Sequence, residues 1–232
     1  MTIAENVARI KENIRTAALA AGRDPDQILL CAATKMNDSY RVREAIAAGV
    51  DCCGENRVQE LTQKLAEHAY EGAPVHFIGH LQTNKVKQVV GKVDLIQSVD
   101  SLRLLEAIDR EAGKQGIVQS ILLEVNIGNE SSKSGFCVDE VRQVCENMCN
   151  YSNIRMEGFM AIPPISHFFG ENRNFFQKMY NLSVDITAKK YDNVWVRIMS
   201  MGMSDDYQDA IACGSTMIRI GTGIFGPRDA SH

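Results

Sequence analysis

Eight short apolar runs, each separated from the next by a stretch with helical spacing, leave few folds open to this 232-residue chain. The runs fall at residues 28–33, 50–53, 75–79, 93–98, 120–127, 154–161, 194–200 and 217–220. Each is too short for a globular helix and reads as a strand buried on both faces of a parallel sheet. Between them lie helical stripes such as Val42, Ala45 and Ile46, then Leu102, Leu105 and Ile108, then Val141, Val144, Cys145 and Met148. Val86, Val89 and Val90 predict a helix after strand three, and a short helix is predicted across residues 205–213. Before the first strand, Thr2-x-x-Glu5 is a capping box followed by Ile3, Val7, Ile10 and Ile14 at helical spacing. Strict alternation implies parallel strands joined by right-handed crossovers. Eight units in about 200 residues predict an α/β fold, a single (β/α)8 barrel over residues 1–232 with an extra N-terminal helix. The longest irregular stretch, residues 162–170, is expected to be a βα loop.

Composition excludes several function classes. The net charge is −4 with no basic block, which argues against nucleic acid as a partner. No apolar leader or run of 18 apolar residues is present, so a membrane is not expected and a cytoplasmic location is. Seven cysteines carry no Cys-x-x-Cys and no clustered histidines in sequence, so neither a metal nor a disulfide framework is expected.

In a barrel the functional face is the carboxyl end of the strands. Those ends supply Lys35, Asn56, Gly79 with His80, Ser98, Asn126, Met160, Ser200 with Met201, and Gly221 with Thr222. The set lacks the paired carboxylates of a glycosidase and the ligand cluster of a metal hydrolase. Burying a lysine inside strand one would cost several kcal/mol, so Lys35 must emerge at its end. The segments 199–204 and 219–223 lie after strands seven and eight, where barrels commonly bind phosphate. Gly202, Gly221 and Gly223 allow close backbone approach, and Ser200, Ser204 and Thr222 add hydroxyls. Ser204 is expected to cap a helix beginning at Asp205; Asp205 and Asp206 would repel phosphate unless turned away. Ordinary turn glycines with an N-cap are the competing reading. A lysine facing a phosphate cradle suits a phosphorylated aldehyde held as a Schiff base, either pyridoxal 5′-phosphate or the substrate of a sugar-phosphate aldolase.

Five motifs in order carry a family resemblance: Thr34-Lys35, Gly54-Glu-Asn-Arg-Val-Gln-Glu60, His76 through Lys85, Lys133-Ser-Gly135, and Met199 through Gly226. On these the chain resembles the pyridoxal-phosphate homeostasis proteins, single-domain relatives of the alanine racemase barrel, of fold type III. The resemblance implies that Lys35 is the Schiff-base lysine and that Ser200, Ser204, Gly221 and Thr222 bind the phosphate. It places Met201 against the cofactor, Asn56 at its hydroxyl and Arg219 at its pyridine nitrogen. Met36-Asn37 and Met160-Ala161 depart from the family's usual residues, at the pocket's edge. An arginine can only donate, so it would leave that nitrogen unprotonated and weaken the electron sink. The chain ends soon after strand eight, with no second domain expected to bring a tyrosine base. The implied function is therefore holding and delivering pyridoxal 5′-phosphate, not turnover, with a small racemase or lyase using the same cofactor as the alternative. Implied partners are the cofactor and, as recipients, apo-enzymes that use it; a monomer or weak dimer is expected.

Overall fold

The computed structural model describes residues 1–130, 134–164 and 170–227. Eight strands close into a parallel barrel in sequence order: β1 (Leu29–Ala33), β2 (Cys52–Glu55), β3 (Val75–Phe77), β4 (Leu95–Val99), β5 (Gln119–Val125), β6 (Ile154–Ala161), β7 (Val194–Ser200) and β8 (Met217–Ile220). Closure pairs Leu29 with Met217 and Cys31 with Arg219. The helices are α1 (Ile3–Ala20), α2 (Ser39–Ala47), α3 (Val58–Ala66), α4 (Leu102–Gln115), α5 (Val138–Glu146), α6 (Arg173–Lys189), α7 (Tyr207–Ala212) and α8 (Thr222–Phe225). The capping box at α1 forms as expected, with Glu5 N–H on Thr2 Oγ1 and Thr2 N–H on Glu5 Oε2. No helix among the described residues is long and apolar enough to cross a membrane.

Alternation along each strand sorts side chains into two cores. Leu30, Ala32, Cys53 and Phe77 point outward and join the main core against the helices. Cys31, Cys52 and Met217 form one small cluster inside the barrel, and Leu95, Leu122 and Met160 form another.

Strands six, seven and eight have the bounds the sequence predicts; other elements shift. The connection from β3 to β4 is a 3₁₀ turn over Thr83–Gln88, not an α-helix. Its valines are β-branched, and Gly91, at φ 74, stops the chain before a further turn can form. Strand two starts later than expected because Val50 N–H still closes α2 on the Ala45 carbonyl. Gly54 and Glu55 are therefore strand residues. Strand three ends at Phe77, two residues early; a Cβ at Gly79 would lie 2.1 Å from the Asn56 carbonyl oxygen, so glycine there lets the two strand ends meet. Of the predicted loop 162–170, residues 165–169 lie outside the described residues, as does Lys133 of the Lys-Ser-Gly motif.

Candidate functional site

Lys35 leaves the barrel one residue past Thr34, and its backbone neighbours are fixed from behind the sheet. Thr34 Oγ1 donates to Glu55 Oε2 at 3.0 Å, and the Thr34 carbonyl accepts from Lys64 Nζ at 2.8 Å. Lys64 Nζ also reaches Glu55 Oε2 at 2.7 Å and Glu60 Oε2 at 3.2 Å. Met36 N–H donates to the same Glu60 oxygen at 2.7 Å. Tyr70 donates to Glu55 at 3.2 Å, and burial, aided by that carboxylate, pushes its phenol well up. Met36 itself sits at φ 60, a left-handed conformation that a methionine adopts only under constraint. Thr34 and Met36 are thus clamped on both sides of the lysine.

A cavity of about 350 Å³ opens beside it, lined by Lys35, Asp38 and Arg41 from the β1–α2 region and by Gly221, Thr222 and Phe225 from the chain after β8. A larger cavity, of about 560 Å³ beside Asp100, Phe136 and Tyr151, does not contain Lys35. Thr222 Oγ1 and Ser204 Oγ meet at 3.2 Å, so two of the three predicted hydroxyls converge. Thr222 and Gly223 open the helical turn α8, so their N–H groups have no carbonyl four residues back within it. A Cβ at Gly221 would make only ordinary contacts, 3.6 Å from Ala33, and its φ is −109°. The fold does not demand glycine there; the bare Cα leaves the backbone open to a ligand. Gly202 is different, with φ 96 and a virtual Cβ 2.6 Å from that of Ala210, so packing against α7 requires it.

Arg41 is a cavity residue that sequence reasoning missed. Its Nη2 donates to the Phe225 carbonyl, its guanidinium lies 5.8 Å over the Phe225 ring, and its buried Nε has no hydrogen-bond partner among the described residues. It brings a second cation to the lysine's cavity, and nothing in the spacing of Ser39-Tyr-Arg41 announced it.

The expected cap is corrected. Ser204 does not cap α7, which starts two residues later, at Tyr207, with Asp206 at the N-cap position. Asp206 is buried: its carboxylate accepts from Asn172 Nδ2 at 2.8 Å and from Met203 N–H at 2.7 Å. It is turned into the protein and does not oppose an anion beside Thr222.

The third hydroxyl, Ser200, faces the barrel interior and is fully buried. It donates to Gln97 Oε1 at 2.6 Å and accepts from Arg219 Nη1 at 2.7 Å. Arg219 also donates to the carbonyls of Ser200, at 2.7 Å, and Ala161, at 3.0 Å. Gln97 Nε2 lies 2.9 Å from His76 Nδ1. A continuous polar chain therefore runs from His76 on β3 to Arg219 on β8. Met201 is buried in the main core. Asn56 stands at the end of β2, and its buried Oδ1 has no partner among the described residues. His80, the lone histidine of the strand ends, is exposed and pairs with Asp100 at 3.0 Å.

Glu124 was also missed as a site residue. It interrupts the apolar run of strand five, and burial raises its carboxyl to about 7, Asp100 adding repulsion while Arg219 and His80 oppose the shift. A carboxyl that titrates near neutrality inside a barrel is suited to proton transfer.

The donor set fits a phosphorylated aromatic aldehyde. It offers an amine, two hydroxyls, a second cation and an unfilled amide oxygen at the end of β2, where a ring hydroxyl could donate.

The chain matches the alanine racemase N-terminal domain family over residues 6–229. It is 39% identical over 228 residues to a pyridoxal phosphate homeostasis protein of Aquifex aeolicus, covering 98% of this chain and 99% of that one. The structure of PipY from Synechococcus elongatus with pyridoxal phosphate bound superposes with a TM-score of 0.83 at 30% identity, covering 97% of this chain and 100% of PipY. Alanine racemase of Clostridium difficile shares the barrel alone, with a TM-score of 0.69 at 16% identity over 58% of its length.

Proposed function

Because the chain belongs to the pyridoxal phosphate homeostasis protein family, of the alanine racemase N-terminal type, we propose that it binds pyridoxal 5′-phosphate through an imine to Lys35 and serves to hold and deliver it. The observation that carries this reading is the cavity shared by Lys35, Arg41, Gly221 and Thr222. When bound, the cofactor supplies an electrophilic aldehyde and an electron-accepting ring. Lys35 supplies the amine, presented by the clamped backbone of Thr34 and Met36. Thr222, Ser204 and the amide of Gly221 are assigned to the phosphate, with Arg41 as its countercharge; Ser200 would join them by releasing Gln97. Asn56 Oδ1 takes the ring hydroxyl. Arg219 is assigned to the pyridine nitrogen and Met201 to the ring's surroundings. An arginine already donating to two carbonyls and a hydroxyl stays cationic and brings no proton acceptor to that nitrogen, which favours retention over carbanion chemistry.

Glu124 favours a second reading, a small racemase or lyase, because it adds a proton-transfer group that Lys35 alone does not supply. Visible absorbance of the purified protein, followed by borohydride reduction and peptide mapping, tests the first reading. The mass of the reduced cofactor is expected on Lys35, and Lys35→Ala is expected to lose the band while keeping its far-ultraviolet circular dichroism. Attachment at another lysine would refute the assignment. Turnover of L- or D-amino acids near 1 per second, an ordinary enzyme rate, would replace it with the second reading.

A further inference from the structure

Cys31, Cys52 and His76 lie 21 to 45 residues apart in sequence, yet the barrel brings them together. Cys31 and Cys52 are directly paired residues of β1 and β2, and His76 comes from β3. Their ligand atoms all lie within 4.8 Å of one another, and the three residues are 0%, 2% and 7% exposed. We infer that they form a buried site for one soft d10 cation, zinc or copper(I). The two cysteines and the imidazole are soft and borderline donors that suit both ions and disfavour calcium or magnesium.

The size of the triangle and two neighbouring groups support a site. Atoms within 4.8 Å of one another share a point no more than about 2.8 Å from each, so a closure of about 0.5 Å reaches zinc–sulfur distances near 2.3 Å. Met217, fully buried, packs with both cysteines; its Sδ accepts from Gln97 Nε2 at 3.2 Å in the metal-free protein, and a half-turn of that amide releases the thioether as a fourth donor. Gln97 holds His76 Nδ1 at 2.9 Å, as ligating histidines are commonly held from behind, which leaves Nε2 for the cation. With Nε2 ligated, the proton sits on Nδ1 and faces the oxygen of Gln97 after a half-turn of that amide. Ser200 then accepts from the amide nitrogen, so the pairing with Arg219 is preserved. Binding releases the thiol protons to solvent, and no electron transfer is involved.

Loading takes place as the barrel closes, since the ligands are inaccessible afterwards. The full chain is therefore produced in cells supplied with zinc or, separately, with copper under reducing conditions. Its metal content is measured after dialysis against a chelator that strips surface ions. Wild type is expected to retain about one equivalent, and Cys31→Ser and Cys52→Ser about tenfold less with unchanged circular dichroism. If the variants do not fold, X-ray absorption of loaded wild type decides: two sulfur neighbours near 2.3 Å are expected, and a third where Met217 joins. Folded wild type without metal, variants that retain it, or neighbours that are only nitrogen and oxygen would each overturn the site. A Cys31–Cys52 disulfide in metal-free protein would do the same.

Discussion

Replacing Glu124 with glutamine should stabilise the cofactor-free protein in mild alkali and do little in mild acid. Glu124 lies on β5 between Leu123 and Val125, which are 0% and 1% exposed, and it is itself partly buried. Desolvation lifts its carboxyl from 4.5 to about 7, so the folded state prefers the neutral form. A folded-state pKa above the unfolded value means stability that is complete below pH 4.5 and lost as pH rises through about 7. The shift corresponds to about 3 kcal/mol at pH 8 and to under about 1 kcal/mol at pH 5. Glutamine keeps the shape and cannot ionise, so it removes that pH-dependent penalty. Urea unfolding of wild type and Glu124→Gln at both pH values gives the difference, because titrating groups that do not face Glu124 cancel. A gain at pH 8 exceeding that at pH 5 by roughly 2 kcal/mol is expected. Equal displacement at the two pH values, or a variant less stable at pH 8, would show that the carboxyl is solvated or paired where the structure buries it.

The polar network behind Lys35 makes a second test. Lys64→Met strands the fully buried Glu55 carboxylate and should cost about 3–5 kcal/mol in urea unfolding, most of it regained in Lys64→Met combined with Glu55→Leu; a single variant within about 0.5 kcal/mol of wild type would contradict the buried pair. Thr222→Val removes one hydroxyl from the Ser204–Thr222 pair and should weaken pyridoxal phosphate binding roughly tenfold, the worth of one hydrogen bond to a charged group, with stability nearly unchanged. Unaltered affinity by fluorescence titration would take Thr222 out of the phosphate site.

Much of this fold was legible because period and punctuation agreed. Strand eight is a mostly apolar run closed by Thr216 and Gly221, strands six and seven each open after an asparagine, and the ends of all three fell where expected. The 3₁₀ turn after β3 was not legible, because three valines at helical spacing look alike whether or not a full helical turn follows. Lys35 was legible as a charge closing an apolar run. Glu124 interrupts such a run just as visibly, but its raised pKa depends on Asp100, Arg219 and His80, which the sequence does not place. Asp206 read as a threat to a phosphate because adjacent acids look alike in sequence; only the packing of Asn172 shows which way it turns. The Cys31, Cys52 and His76 group was invisible to any spacing rule, since only the barrel register aligns them.

The alternation that builds the barrel also divides its buried polar residues, and the division bears on how the site is held. Glu55 and Thr34 face outward, where α3 brings Lys64 and the following segment brings Tyr70. His76, Gln97, Ser200 and Arg219 face inward as one chain across the barrel. The outward set fixes the backbone on either side of Lys35; the inward set fixes the guanidinium of Arg219. Among the described residues no hydrogen bond joins the two sets, and the sheet lies between them. A lysine and an arginine positioned independently can tolerate change in one support without losing the other, so damage to the two networks should add and not compound. A strongly non-additive double variant, Lys64→Met with Gln97→Leu, would mean that the barrel wall transmits strain between them.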